Sequence, residues 1–374
     1  MKQITTHNKE EIEYLESTKE KKLDLPANVR NIGFIKPRFR YSGACLGCGE
    51  TPYLNLLTKL FKDSIVIANA TGCSSIYGAS VPNTPYDVPW ANSLFEDNAE
   101  FAYGLRISEN VMHENIVNIM QESYDKLNKT NKELVNEYLN NYSKEVSEKT
   151  YNNLDYDNFK KIIPYKKYLK EKSIWAVGGD GWAYDIGFSG IDHVLSNNEN
   201  VNILVLDTEV YSNTGGQISK SSRMGTVAKF EELGKKTPKK DLAKIAMCYP
   251  NTYVATISLG GNYMQAIKAL KEAESHNGPS IVIAYSPCIA HGIKKVMTNS
   301  INEEKLAVES GYFPLFRYSK EQGLTIDSKA DFSKYEELLK NENRYIACKD
   351  KNLLKEQKES AENKYKELNK DGNI

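Results

Sequence analysis

The run SIWAVGGDGWAYDIGFSGIDHVLSNNENVNILVLDTEVYSNTGG (Ser173–Gly216) decides the fold class. Two continuous apolar stretches, SIWAVGG and VNILVLDT, bracket an amphipathic one, AYDIGFSGIDHVLSNN. Apolar runs without polar alternation belong to strands covered on both faces. Downstream the alternation continues through helix KKDLAKIAMCY, strand TYVATISL, helix NYMQAIKALKEAESHN and strand PSIVIAYS. Upstream, SIVIANAT (Ser64–Thr71) reads as another buried strand, preceded by helix TPYLNLLTKLFK with Leu54, Leu57 and Leu60 on one face. Strands alternating with helices predict an α/β fold, a mainly parallel sheet flanked by helices and joined by right-handed crossovers.

The rest of the chain arranges itself around that core. Residues 1–39 carry two prolines and little periodicity, which predicts an extended arm or linker. Residues 40–108 and 173–315 form the domain, interrupted by a charged helical insertion over 109–172. Charge runs mark exposed faces, so the insertion reads as a solvated structural element. Residues 316–374 read as a C-terminal tail ending in a solvated Lys/Glu-rich helix.

Composition narrows the class of function. The chain has 374 residues, 40% hydrophobic and 26% charged, as a folded globular protein should. Lys plus Arg and Asp plus Glu both number 49, so neither a nucleic acid nor an anionic membrane is an expected partner. No apolar run approaches the ~20 residues of a membrane span, and no signal peptide or Arg/Ser-rich transit segment is visible. A cytoplasmic location is expected.

Two constellations carry chemistry. The first is Gly179-Asp180-Gly181, just past a strand and just before a helix, the edge at which open α/β sheets bind ligands. Glycines let backbone approach a phosphate, and a helix N-terminus offers free N–H groups to it. An Asp between them would repel a bare anion, but suits a divalent ion bridging to a diphosphate. About thirty residues on, across one strand–helix–strand unit, Asp207-Thr208-Glu209-Val210-Tyr211-Ser212-Asn213-Thr214-Gly215-Gly216 offers further oxygens. The two strand ends are expected to converge on one magnesium diphosphate. The second constellation is Cys45 and Cys48 in a C-x-x-C, Cys73 in ATGCSS and Cys288 in YSPCIAHG. Four thiolates suit either structural zinc or a 4Fe–4S cluster. Ligand type alone leans to zinc, whereas the wide scatter in sequence argues against a compact zinc ribbon. Cys248 reads as a core cysteine and Cys348 as incidental. His291 reads either as a structural imidazole or as a group tuning the cluster or the substrate.

GDGWAYDIG followed by DTEVYSNTGGQ resembles the thiamine-diphosphate domain of pyruvate:ferredoxin (flavodoxin) oxidoreductase. SGACLGCGETPY, ANATGCSSIYGAS, PWANSLFEDNAEF and SGYFPLFRYS are similar to the same family. The resemblance runs from about Phe39 to Ser108 and from Ser173 to about Tyr345. It implies that Asp180, Thr208 and the carbonyl of Val210 hold magnesium on the diphosphate. It also implies that Gly179, Gly181, Trp182 and the turn Glu209, Val210, Tyr211, Ser212 and Asn213 contact the cofactor, with Asn213 reaching the reacting centre. Cys45, Cys48, Cys73 and Cys288 are implied as ligands of a 4Fe–4S cluster, with Cys73 and Glu50 against the thiamine diphosphate. The stretch TPYDVPWANS is shorter than in the long-chain family, which bears on the approach of a partner or CoA.

The activity so implied is oxidation of pyruvate with CoA to acetyl-CoA and carbon dioxide, electrons passing through the cluster to ferredoxin or flavodoxin. Zinc has no redox chemistry and would not serve there. No pyrimidine-binding domain and no eight-cysteine ferredoxin module is legible, so the chain is expected to be a subunit or a fragment. Partner domains or subunits, a dimeric assembly and an anaerobic setting are the corresponding expectations. Two rivals stand beside this reading: a non-redox thiamine decarboxylase or carboligase with a four-cysteine zinc site, and a non-catalytic assembly subunit.

Overall fold

The structure, a computed structural model, describes residues 7–17, 28–294 and 296–371. Within the arm expected over 1–39, residues 1–6 and 18–27 lie outside the described residues; helices His7–Ser17 and Val29–Gly33 occupy part of the remainder. Among the described residues one sheet contains β1 (Ile65–Ala70), β2 (Trp90–Ser93), β3 (Ser173–Gly178), β4 (Asn202–Asp207), β5 (Tyr253–Ile257), β6 (Ser280–Tyr285), β7 (Phe316–Ser319) and β8 (Gly323–Ile326). Their order is β2-β1-β3-β4-β6-β5-β7-β8. The pairings among β1 to β6 are parallel, and β7 and β8 are antiparallel to their neighbours. The expected α/β class, a mainly parallel sheet flanked by helices, is what the chain adopts.

The two-residue period of a strand explains why these runs had to be apolar throughout. In β4, Ile203 and Val205 join one apolar cluster while Leu204 and Leu206 join another. β3 divides in the same way, Ile174 and Ala176 against Trp175 and Val177. Both sheet faces are therefore covered, and each buried Val, Leu or Ile contributes ~1.5–3 kcal/mol. Helix Phe188–Ser196 connects β3 to β4, and helix Tyr263–Ser275 connects β5 to β6. The latter is capped by Asn262, whose side chain accepts from the Gln265 amide at 3.0 Å. It buries Ala266, Ala269, Leu270 and Ala273, the spacing of one helical face.

Several boundaries differ from the sequence reading. The segment after residue 315 does not leave the domain as a tail: β7 pairs with β5 and turns back as β8. SGYFPLFRYS is apolar because Phe316 fills the sheet core. The terminal helix Lys351–Asp371 buries Leu353, Gln357, Ala361 and Leu368, so one face packs on the domain. β2 has no clear sequence pattern, being four residues at the sheet edge. Helix Asn98–Ser123 runs through the expected boundary at 108/109. Its early Ala99 and Ala102 pack with the sheet, and its later Ile116 and Met120 join a third cluster with Val135, Tyr138, Phe159 and Ile162. The 109–172 segment thus has an apolar core of its own. Cys248 is exposed, not core, because its helix ends at Ala246. Cys348 is buried, its sulfur 3.1 Å from where a Cβ on Gly234 would stand.

Candidate functional site

The chain leaves β1 toward β2 on one side and β3 toward β4 on the other. Where connections part in this way, a crevice opens at the carboxyl ends of the strands. A cavity of about 300 Å³ occupies it, lined by Thr71–Ser74 after β1, Gly179–Gly181 after β3 and Thr208 with Val210–Thr214 after β4. The turn Gly181–Asp185 follows β3 as a wide helical turn. A Cβ on Gly181 would stand 3.1 Å from the Phe95 ring and 3.3 Å from that of Tyr211, so glycine keeps this approach open.

Asp180 is buried at the base of the crevice. Its Oδ1 accepts from the Thr208 amide at 3.0 Å, and its Oδ2 accepts from Ser219 Oγ at 2.7 Å. Thr208 Oγ1 lies 3.4 Å from Asp180 Oδ1 and donates to the Val210 carbonyl at 3.0 Å. Three oxygens of the types that bind magnesium are thus linked through Thr208 Oγ1, which lies within hydrogen-bond reach of the other two. Burial and the neighbouring Asp207 push the Asp180 carboxyl well above its usual range, against the pull of Lys239. A divalent cation is the counter-charge that would let this carboxylate ionise.

Glu209 and Trp182 do not line that cavity. Glu209 has φ of 56° and a buried side chain held by Arg223 Nε (3.0 Å), Lys239 Nζ (3.1 Å), Arg344 NH2 (2.9 Å) and the Tyr312 hydroxyl. Burial would raise its carboxyl, but Lys239, Arg223 and Arg344 hold it well below the usual range. Trp182 packs in the sheet core, the closest ring to a Cβ that Gly178 would carry.

Cys45, Cys48, Cys73 and Cys288, scattered in sequence, all line a second cavity of about 240 Å³. The Gly49 amide donates to the Pro287 carbonyl at 3.0 Å and so ties the C-x-x-C loop to the Cys288 segment. A Cβ on Gly49 would fall 2.5 Å from Pro287 N, which reserves the position for glycine. Burial, then Glu50, pushes the Cys48 thiol up to about 12, and burial likewise raises Cys73 and Cys288. Thiols that ligate a metal centre lose their protons on binding it. Among the described residues no three His, Cys, Asp or Glu groups are gathered as a single ion requires. Glu50, Cys73, Thr208, Ser212 and Asn213 line both cavities, which are therefore adjacent. Glu50 is buried between them, accepts from Tyr77 Oη at 2.8 Å, and has its carboxyl pushed up to about 7 by burial. Asn213 is exposed at their shared mouth.

The sequence reading passed over SKSSR (Ser219–Arg223) and Lys239. Besides the Ser219 bond, Ser221 donates to Asp207 Oδ1 and Ser222 to the Glu209 carbonyl, each at 2.5 Å. Lys239 bridges Asp207 Oδ2 (2.5 Å) and Glu209 Oε1. A serine run after a glycine pair is the one available signal, and it equally marks any loop. A larger cavity of about 560 Å³ lies on the other side of this network, lined by Asp207, Arg223 and Lys239 and by helices Leu242–Ala246 and Lys351–Asp371.

Residues 163–284 match the thiamine pyrophosphate enzyme, C-terminal TPP binding domain. The pyruvate:ferredoxin oxidoreductase of Moorella thermoacetica is 42% identical over 93% of this chain and 32% of its own length. The chain is a relative of the pyruvate:ferredoxin and pyruvate-flavodoxin oxidoreductases. A putative pyruvate-flavodoxin oxidoreductase of Synechocystis is 48% identical over 76% of this chain and 25% of its own length. The chain thus spans a quarter to a third of these two oxidoreductases. A solved 2-oxoglutarate:ferredoxin oxidoreductase from Magnetococcus marinus aligns over 67% of each chain at 18% identity and a TM-score of 0.44, too loose a likeness to bear on the chemistry. Among the described residues no helix is long and apolar enough to cross a membrane.

Proposed function

We propose that this chain is the thiamine-diphosphate- and cluster-holding part of a pyruvate:ferredoxin (flavodoxin) oxidoreductase. The overall reaction is pyruvate plus CoA and oxidised ferredoxin or flavodoxin giving acetyl-CoA, carbon dioxide and the reduced acceptor. The observation that carries the reading is the adjacency of the two cavities, with Cys73 and Asn213 lining both. Bound thiamine diphosphate supplies a carbanion-stabilising centre and a 4Fe–4S cluster a one-electron acceptor.

In this reading Asp180, Thr208 and the Val210 carbonyl hold magnesium, and Gly179 and Gly181 let backbone approach the diphosphate. Tyr211, Ser212 and Asn213 border the cofactor, Asn213 where the 2-oxo acid enters. Cys45, Cys48, Cys73 and Cys288, which line one cavity, hold the cluster. Glu50, which lines both cavities, lies against the thiamine diphosphate. The greater length of the relatives supports further domains, among them pyrimidine-binding and ferredoxin-like ones, in the working enzyme. A cytoplasmic dimer in an anaerobic cell is the corresponding setting.

Anaerobic purification with iron, acid-labile sulfide and visible spectroscopy tests the proposal, alongside calorimetric titration with magnesium thiamine diphosphate. About four irons and four sulfides per chain, with saturable thiamine diphosphate binding, are expected. Zinc without sulfide in protein never exposed to air would replace the electron-transfer reading with a non-redox one.

A further inference from the structure

His291 stands three residues after Cys288 on the short turn Ile289–His291, and its side chain is fully buried. The ladder between β4 and β6 closes at Asp207↔Tyr285, after which the two connections part. One becomes the Thr208–Val210 turn and the other the Cys288 turn. His291 crosses this gap: its Nε2 lies 2.7 Å from the Thr208 carbonyl. A carbonyl only accepts, so Nε2 carries the proton and Nδ1 is the bare nitrogen. Nδ1 has no hydrogen-bond partner among the described residues, with Glu342 Oε1 3.7 Å away.

Both ends of this bond are anchored. Thr208 is held through its amide by Asp180 and through its hydroxyl by the Val210 carbonyl. The His291 amide donates to the Cys288 carbonyl at 2.9 Å, and the Ala290 amide approaches Cys288 Sγ at 3.5 Å. On the far side the Gly292 carbonyl accepts from the Asn343 amide at 3.1 Å, and the Tyr285 ring stacks beside the imidazole at 6.5 Å.

We infer that His291 is a positioning residue: through its bond to the Thr208 carbonyl it locks the Cys288 turn to the Asp180–Thr208–Val210 oxygen cluster, so that the cysteine cavity and the diphosphate crevice keep one fixed separation. The inference rests on the proposed function for the identity of what fills each cavity. It adds a link, made by a residue touching neither cavity's contents, through which one site feels the other. Partners behind a ligand shell of this kind set affinities by about 10–100-fold.

The test compares wild type, His291→Gln, His291→Asn and His291→Leu as anaerobically purified chains. Glutamine carries an N–H at a reach close to that of Nε2, asparagine is polar but too short, and leucine fills the space without a donor. Titration with magnesium thiamine diphosphate is expected to show about tenfold weaker binding for Asn and Leu, with Gln near wild type. The electron paramagnetic resonance spectrum of the reduced cluster is expected to respond to thiamine diphosphate in wild type and Gln, and not in Asn or Leu. Wild-type binding and spectra in Asn or Leu would overturn the inference. So would equal loss in Gln, which would mean that shape and not the hydrogen bond matters. If Leu does not fold, the Gln–Asn pair decides on the same terms. The proposed function is read separately in the wild-type sample: no iron or no thiamine diphosphate there removes that reading, and this one with it.

Discussion

Asp180 and Glu209 are both buried acids beside the same strand ends, and their surroundings drive them in opposite directions. Among the described residues Asp180 has hydroxyl and amide donors but no direct ion-pair partner, whereas Glu209 is bound by Arg223, Lys239 and Arg344. Asp180→Asn keeps the shape and removes the charge that a divalent ion needs. We expect magnesium-dependent thiamine diphosphate affinity to fall at least ~100-fold by calorimetry while iron per chain stays unchanged, each ~1.4 kcal/mol being tenfold. Unchanged affinity would move the cofactor elsewhere. Glu209→Gln leaves the buried Arg344 and the partly buried Arg223 and Lys239 under-compensated, a loss of about 3–5 kcal/mol. Its urea midpoint should therefore drop sharply, and an unchanged midpoint would return Glu209 to a role at the crevice. Nothing in DTEVYSN separates the two acids, because the cations that claim Glu209 come from positions as distant as Arg344.

At the scale of elements, the C-x-x-C loop and the segment after β6 are built as one unit through Gly49 and Pro287. Gly49→Ala places a methyl 2.5 Å from Pro287 N, and backbone has to move to admit it. We expect a loss of about 1–3 kcal/mol in a melting experiment, with iron loading reduced. Full iron loading in that variant would detach the loop from the cysteine cavity. The parallel strands were legible because each buries both faces and so spells an unbroken apolar word. β2 and the β7–β8 hairpin were not, being short and peripheral, so their residues alternate or mix without a clear period. The helix through residue 108 also escaped notice, because it serves the sheet with its first half and the third apolar cluster with its second.

Across the whole molecule, stability also depends on a carboxyl that lines neither cavity. Glu304 on helix Ser300–Glu309 accepts from the Gly260 amide at 2.8 Å, Ser258 Oγ at 3.2 Å and Tyr53 Oη at 3.4 Å, joining three separate parts of the fold. Burial pushes its carboxyl up to about 7, despite these donors. The folded state therefore holds this proton more tightly than the unfolded chain. The stability it contributes is fully present below about pH 4.5 and is lost as pH rises through about 7. In Glu304→Gln the decline in unfolding free energy between pH 5 and pH 8 should be smaller by about 3 kcal/mol, measured by urea titration at each pH. An identical slope in variant and wild type would show that Glu304 does not titrate in that window.

The sequence by itself determined the sheet, the two strand-end motifs and the four cysteines as a set, because strand burial and ligand chemistry each demand particular residue types at a local spacing. Only the tertiary structure decided which of those residues share a space. It placed Cys288 and Cys45 on one cavity, drew Glu209 into a buried ion network, kept Trp182 in the core and tied His291 to the Thr208 carbonyl. These relations depend on how β1, β3, β4 and β6 lie side by side, and long-range packing of that kind leaves no periodicity along the chain.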